Sequence, residues 1–270
     1  MKRGMALVAH SLKRHRTLVL AMAGILAAFQ LLLCLAAETL EKSNFFGPLI
    51  SLIPDPMRQA LGPTIIVLMS FTGIVGAGYL HIAIVAALVG MVISIGTEPA
   101  AEIESRFIDL LLAHPLPRYW IVCRTIALLI VATLFVLLAM GVGSTFGIIW
   151  LAPREAVRPS LYAVRSLAAN LASLILCWGG VSLALASVAR RRSVPAALAG
   201  VLALSTYLVD YLSRFWSPLK RVAWLCPFHY YNAVDLIGGA SLPMRDVWVL
   251  TAIAAAGFGI ALVAFSNRDV

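Results

Sequence analysis

Few side chains in this sequence have the type and setting needed for chemistry. His81 lies near the middle of a long apolar block, where an ionisable group suits a proton relay or a substrate contact. A neutral imidazole hydrogen-bonded to a neighbouring helix fits the same position.

Ser144, in GVGSTFG, has the small neighbours of a nucleophile turn, yet His81 is the only histidine candidate at such depth. These glycines are more typical of close helix packing. Asp210 precedes Arg214 by four residues, the spacing of an ion pair within one helix.

The motifs of common catalytic and metal sites are missing from the sequence. There is no H-E-x-x-H zinc motif and no G-x-x-x-x-G-K-[ST] phosphate loop. The four cysteines are scattered without a C-x-x-C pair, which indicates neither a zinc site nor a disulfide framework. We therefore expect no enzyme activity, metal or ATP site in this chain.

Composition places the chain in a membrane. Hydrophobic residues make up 61% of the 270 residues and charged residues 12%, and the mean hydropathy is +0.95. Soluble domains carry about 25% charged residues, so this sequence lacks the polar groups to cover a globular surface. The net charge is +9, and eight of the 21 basic residues lie in two clusters, five before the first apolar block and three at Arg190–Arg192. Such clusters are typical of anchors on anionic lipid headgroups and do not indicate nucleic-acid binding.

The apolar blocks predict an all-α integral membrane protein with one transmembrane domain, 1–270. A bilayer core of about 30 Å needs about 20 helical residues. Six segments qualify: 17–37, part of 62–95, 120–149, 164–189, 194–213 and 246–266. The second block is too long for one straight crossing, so it must tilt, project or break near Gly73–Gly78. Residues 5–16 suggest a short interfacial helix, and Ser193 with Pro195 suggests a capped start for the fifth span.

The distribution of basic residues predicts the orientation. The segment before the first span carries five Lys and Arg residues, whereas the loop after it carries two. We expect both termini in the cytoplasm and the chain in the plasma membrane. The stretch 214–245 then lies outside. It is too aromatic for a solvated loop, so we expect a short helix or a re-entrant hairpin there. Its aromatic residues suit the headgroup level: Trp216, Trp224, Phe228, Tyr230 and Tyr231.

The segment 98–118 is a charged island between two uncharged blocks. The stripe formed by Ile103, Phe107, Leu110 and Leu111 follows the i, i+4, i+7, i+8 rule of an amphipathic helix. Glu102, Arg106 and Asp109 lie toward the other face. Pro115 and Pro117 end the helix, and Arg118 and Arg124 anchor the next span. On pattern alone, this is either an ordinary interfacial helix or a docking element.

This segment resembles the coupling segment of type-2 (exporter) ABC transporter permeases. Those permeases carry an acidic pair, Gly-Thr, and a leucine-rich helix ending in small-x-Pro-x-x-Arg. The matching positions are Glu102, Glu104, Asp109, Leu110, Leu111, Leu112, Ala113, Pro115 and Arg118, whereas Arg106 and Phe107 replace Gly-Thr. Two further motifs match loosely: Pro227, His229, Tyr230 and Asn232 before the last span, and Phe265, Arg268 and Asp269 at the end.

The resemblance implies a transport subunit without its own ATPase site. Two permease copies or paralogues would pair, and each coupling helix at 102–118 would seat on a separate ATPase subunit that binds ATP. It implies partner contacts at Glu102, Glu104, Phe107, Asp109, Leu110, Leu111, Pro115 and Arg118. The small residues of span two, Gly73 and Ala77 with His81, would line the pathway or the dimer surface. The alternatives are a secondary transporter that uses His81 and a membrane-embedded enzyme; the substrate is not indicated.

Overall fold

The computed structural model describes residues 2–43, 45, 48, 52, 67–107, 117–153 and 158–267, with backbone alone for 2–10 and 12. Within these residues the fold is helical and contains no strand. The helices are α1 (Lys2–Lys42), α2 (Phe71–Leu80), α3 (Ile82–Gly96), α4 (Glu98–Glu104), α5 (Tyr119–Leu151), α6 (Leu161–Val188), α7 (Ser193–Ser213), α8 (Ser217–Lys220), α9 (Ala233–Ile237) and α10 (Met244–Ser266). Six segments are long and apolar enough to cross a membrane: Lys13–Lys42, Phe71–Gly96, α5, α6, α7 and α10. They support a multi-pass membrane protein.

The first span is one uninterrupted helix. α1 runs from Lys2 to Lys42, 41 residues with no proline, which corresponds to about 60 Å at 1.5 Å per residue. The prediction of a separate interfacial helix at 5–16 is therefore wrong. Because the helix is about twice as long as a bilayer core is thick, its ends extend beyond the apolar layer.

The second span is broken at His81. This residue has φ −62° and ψ 121°, an extended conformation that separates α2 from α3. Of the predicted alternatives the break is confirmed, but it lies three residues after Gly78. His81 stabilises it, because its Nδ1 accepts the Ala83 amide at 3.3 Å. In a continuous helix that amide would bond the Tyr79 carbonyl. The Tyr231 hydroxyl donates to this carbonyl instead, at 2.6 Å.

Small residues bring the spans together. An added Cβ at Gly257 on α10 would overlap the backbone of Gly180 on α6, so these two helices touch backbone to backbone. On α5, a Cβ at Gly143 would overlap the backbone of Ala27 on α1. The prediction that the glycines around Ser144 allow close packing is confirmed for Gly143 and Gly147, whereas Gly141 has open space around it. Close packing matters in lipid, where the hydrophobic effect does not favour helix association.

The predicted cap of the fifth span is wrong. Ser193 does not cap α7: it is the first helical residue, and Arg192 occupies the cap position without a side-chain capping bond. An arginine side chain carries no acceptor, so it cannot cap the helix. In the stretch 214–245, Phe228 is buried inside the bundle, with ring centroids 5.9 Å from Trp178 and 5.5 Å from Tyr207.

The stretch 214–245 folds as a series of short turns. α8 is followed by 3-10 turns at Ala223–Leu225 and Pro227–Tyr230, and then by α9. Trp216 and Trp224 are exposed, as expected for residues at a membrane surface. We call 214–243 the insertion. It covers the end of the bundle at which α7 finishes.

Candidate functional site

The short helix α4 sits directly after the second span. Gly96 ends α3, Thr97 forms the junction, and Pro99 lies in the first turn of α4, where its missing N–H has no helical partner to lose. Two carboxylates one turn apart, Glu98 and Glu102, are each only 2% exposed. α4 therefore points acidic groups into the bundle, where each must find a counterion.

Glu98 is held by the first span. Its carboxylate oxygens lie 3.3 Å from His15 Nε2 and 3.8 Å from an Arg14 guanidinium nitrogen, and Ser11 Oγ donates to it at 3.4 Å. Burial acts to raise the pKa of Glu98. The neighbouring His15 and the charges of Arg124 and Arg14 outweigh that effect, so its pKa is lowered. Glu98 is thus an ionised link between α4 and α1.

Glu102 is held by the third span. Both its oxygens accept from Arg124 Nη2 at 2.8 Å, and the two side chains are 2% and 3% exposed. Burial raises the pKa of Glu102 against the opposing Arg124 charge, and the Glu98 charge adds to the rise. The sequence places Glu102 toward the polar face of the helix, away from the apolar stripe. The outer position is wrong, because Arg124 holds the carboxylate inside the bundle.

Glu104 is held by the loop before α7. It is exposed, and its carboxylate accepts the Arg192 amide at 2.8 Å. The Arg192 guanidinium in turn donates to the Ser94 carbonyl at 3.1 Å and to the Ser94 hydroxyl at 3.0 Å. The Arg190–Arg192 cluster, predicted as a headgroup anchor, therefore also connects α4 with α3.

The helix does not continue through the predicted stripe. α4 ends at Glu104, and Arg106 has φ 55°, a left-handed conformation that costs a non-glycine residue about 1–2 kcal/mol. Ile103 packs against the bundle core. It therefore does not share a regular helical stripe with Phe107, and this part of the prediction is wrong.

Phe107 is half-buried beside the anchored carboxylates. It lines a cavity of about 410 Å³ together with Arg14, Glu98, Glu102 and Arg106. Arg118 is half-buried and immediately precedes α5. Four predicted contact residues lie outside the described residues: Asp109, Leu110, Leu111 and Pro115.

The predicted pathway residues have different surroundings. Gly73 is buried, and an added Cβ would overlap the backbone of Val67 and Leu68, so it packs on the residues just before its own helix. Ala77 is half-buried. His81 is exposed; it caps its own helix, and its ring meets Phe29 edge-on with centroids 5.9 Å apart. The expected hydrogen bond from His81 to a neighbouring helix is wrong, since Ala83 of its own chain segment is the partner.

Sequence reasoning missed a buried polar cluster between spans one, two and three. Gln30 Nε2 donates to Ser144 Oγ at 2.7 Å, and the Tyr79 hydroxyl lies 3.0 Å from the same oxygen. All three residues are fully buried. The available signal was Gln30, an amide in the middle of an otherwise apolar span, since such groups need partners inside the bundle.

The chain matches no protein-family model and no curated protein. Within the described part of the chain, no three His, Cys, Asp or Glu side chains are grouped so that they could hold a metal ion.

Proposed function

We propose that this chain is the membrane-spanning permease subunit of a type-2 ABC exporter, paired with a second permease copy or paralogue and driven by a separate ATPase subunit. One observation carries the proposal: α4, between spans two and three, is tied by three carboxylates to three other parts of the bundle. Glu98 holds α1, Glu102 holds α5, and Glu104 holds the loop before α7.

Such anchoring suits a segment that transmits a mechanical load. A helix pushed by an ATPase moves the spans only if its contacts with them persist while the helix is displaced. Charge pairs withdrawn from water interact more strongly than exposed pairs, because the effective dielectric constant is lower. A displacement of α4 would therefore pull on spans one and three directly, and on span five through Arg192.

The backbone at Arg106 adds support to the family resemblance. Type-2 permeases carry glycine at the position that Arg106 occupies here. Arg106 has φ 55°, in the region that glycine enters without steric strain. The local conformation thus fits the glycine of the family pattern, although the residue differs.

The proposed contact surface begins where α4 ends. Glu102 is withdrawn from it by Arg124, whereas Glu104 stays exposed while one of its oxygens accepts the Arg192 amide. Glu104 and Phe107 remain, with the predicted residues Asp109, Leu110, Leu111, Pro115 and Arg118. In this proposal the α4 end of the bundle faces the cytoplasm of the plasma membrane, and ATP binds to the partner subunit.

Replacement of Phe107 tests the coupling contact. An aspartate there places a charge in an apolar partner groove, so Phe107→Asp should abolish co-purification of the ATPase. Phe215→Asp is the matched control, since Phe215 is 76% exposed at the other end of the bundle. Gel filtration of both variants verifies the fold. If folded Phe107→Asp protein retains the ATPase as well as Phe215→Asp does, the coupling assignment is wrong.

A secondary transporter is the second candidate, because span two is discontinuous at the ionisable His81. Secondary transporters build ion sites at broken helices. The two functions differ in their energy source. In vesicles, a proton gradient without ATP should drive transport only in a secondary transporter, and His81→Gln should then remove it. We expect ATP dependence and little effect of His81→Gln.

A further inference from the structure

A second cavity lies at the other end of the bundle from α4. A space of about 780 Å³ lies between the break in span two, the last turns of α7 and the insertion. Cavities that bind organic ligands measure about 300–1,000 Å³. Leu80, Ile82 and Val85 line its span-two side, so one wall is apolar. The cavity is large enough for a drug-sized molecule and is separate from α4.

The fixed charge in this cavity is negative. The Asp210 side chain is only 8% exposed, whereas its partners Arg214 and His229 are 59% and 48% exposed. Arg214 Nη2 lies 3.2 Å from one carboxylate oxygen and His229 Nδ1 lies 3.4 Å from the other. Exposed ion-pair partners gain at most about 1 kcal/mol from the contact, and both can turn toward water. Asp210 cannot, so a cation entering the cavity would find a carboxylate that is already desolvated.

The wall beside Asp210 is aromatic. Tyr207 meets Phe228 edge-on with centroids 5.5 Å apart and stacks on Tyr211 at 6.2 Å, and all three line the cavity. Aromatic faces attract organic cations and repel anions. Lys220 and Asp235 also line the cavity, but both are exposed and opposite in charge, so they do not decide the sign.

We propose that this cavity binds an amphiphilic organic cation, with its charged centre beside Asp210 in place of Arg214 and His229, and its apolar part against the aromatic and span-two walls. That the bound molecule is the exported substrate rests on the proposed function; the binding itself does not.

Two probes of equal shape and opposite charge test the sign. Tetraphenylphosphonium and tetraphenylborate are applied to the purified chain in phosphatidylcholine nanodiscs, and binding above that of empty nanodiscs is measured by equilibrium dialysis. The phosphonium should bind and the borate should not. Asp210→Asn should weaken phosphonium binding by about tenfold or more, because the buried counter-charge is lost. Glu38→Gln is the matched control: Glu38 also pairs with a basic residue four positions on, Lys42, at the same end of the bundle and outside the cavity.

A second variant separates binding from folding. Arg214→Gln removes the competing cation and should strengthen phosphonium binding by about threefold, a gain that structural damage would not produce. Preferential borate binding, or an Arg214→Gln variant that binds the phosphonium no better than the parent, would overturn the proposal. Because no ATPase is present in this assay, failure here is distinct from failure of the Phe107 test.

Discussion

Arg124 donates from a single nitrogen, Nη2, to both carboxylate oxygens of Glu102 at 2.8 Å. The two residues are 22 positions apart and connect α4 to the first turns of α5. Each is almost fully buried, so each depends on the other to offset the loss of water.

Removal of one partner should be far more damaging than removal of both. Arg124→Leu leaves Glu102 as a buried, unpaired acid and should lower the free energy of unfolding by about 3–5 kcal/mol. The double variant Arg124→Leu with Glu102→Leu should recover most of that loss. Lys42→Leu, which breaks an exposed pair with Glu38, should change stability by less than about 1 kcal/mol. Denaturant unfolding in detergent measures all three. Equal losses in the single and double variants would contradict an energetically coupled pair.

Acidic pH should weaken the interaction of Glu98 on α4 with the basic residues of α1. The pKa of Glu98 is lowered from its usual 4.5 in the folded chain, so its contribution to stability is present above pH 4.5 and is lost as the pH falls through the lowered pKa. Glu98→Gln should therefore remove part of the loss of thermal stability that the parent chain shows as the pH falls below 4.5.

Glu102→Gln provides the matched comparison for Glu98→Gln. In the parent chain the pKa of Glu102 is raised above 4.5. The contribution of Glu102 to stability therefore increases as the pH falls from the raised pKa toward 4.5, which is the opposite of the pH dependence expected for Glu98. If both variants shift the pH profile in the same direction, the two carboxylates do not have the assigned environments.

Glycine should be accepted at position 106. Arg106 has φ 55°, and Arg106→Gly relieves steric strain of about 1–2 kcal/mol while it adds roughly 0.5–1 kcal/mol of chain entropy to the unfolded state. We expect a gain in stability of up to about 1.5 kcal/mol. The β-branched Arg106→Val should instead destabilise the chain. Thermal unfolding of the two variants side by side checks the sign, and a stabilising valine would refute the left-handed conformation.

The contact between α6 and α10 should tolerate no added methyl group. A Cβ at Gly257 would overlap the backbone of Gly180, so Gly257→Ala should cost about 1–3 kcal/mol. Gly259, two residues on, has open space around it, and Gly259→Ala should be neutral or slightly stabilising because alanine is the better helix former. Thermal unfolding of both variants in detergent distinguishes them. A neutral Gly257→Ala would mean that the helices are further apart.

The orientation is testable with a fusion. The five basic residues before the first span predict a cytoplasmic N-terminus, and the six spans found among the described residues predict the C-terminus on the same side. A cysteine tag fused after Val270 should resist a membrane-impermeant thiol reagent in intact cells and react after lysis. A second tag inserted beside the exposed Gly239 of the insertion should react in intact cells. The reverse pattern would invert the topology.

The six spans could be predicted from sequence because lipid leaves the backbone no other hydrogen-bond partner. The predicted span 164–189 compares with Leu161–Val188, and 246–266 with Met244–Ser266. The break at His81 could not be located in the same way. Glycines lower the free-energy cost of a helix break. The position of the break, however, depends on the His81 imidazole and on Tyr231, which is 150 residues further along the chain.

The partners of the acidic residues also lay beyond sequence reasoning. The position of Glu102 in the helical repeat is the same whether its side chain faces water or Arg124 on α5. Glu98 follows an apolar run and looks like an interfacial residue, yet it is buried against α1. Hydrophobic periodicity assigns a face to each residue only when the environment of the helix is known, and here the face that carries Glu98 and Glu102 meets His15 and Arg124 inside the bundle.

The hydrogen bond between the Tyr231 hydroxyl and the Tyr79 carbonyl connects the insertion to a span remote from it in sequence. In a continuous helix the Ala83 amide would bond the Tyr79 carbonyl, but here the amide bonds His81 and the carbonyl accepts from Tyr231. Loss of the Tyr231 hydroxyl would deprive the Tyr79 carbonyl of this bond, and a buried acceptor left unsatisfied costs about 1–3 kcal/mol. The insertion therefore stabilises the bend in span two.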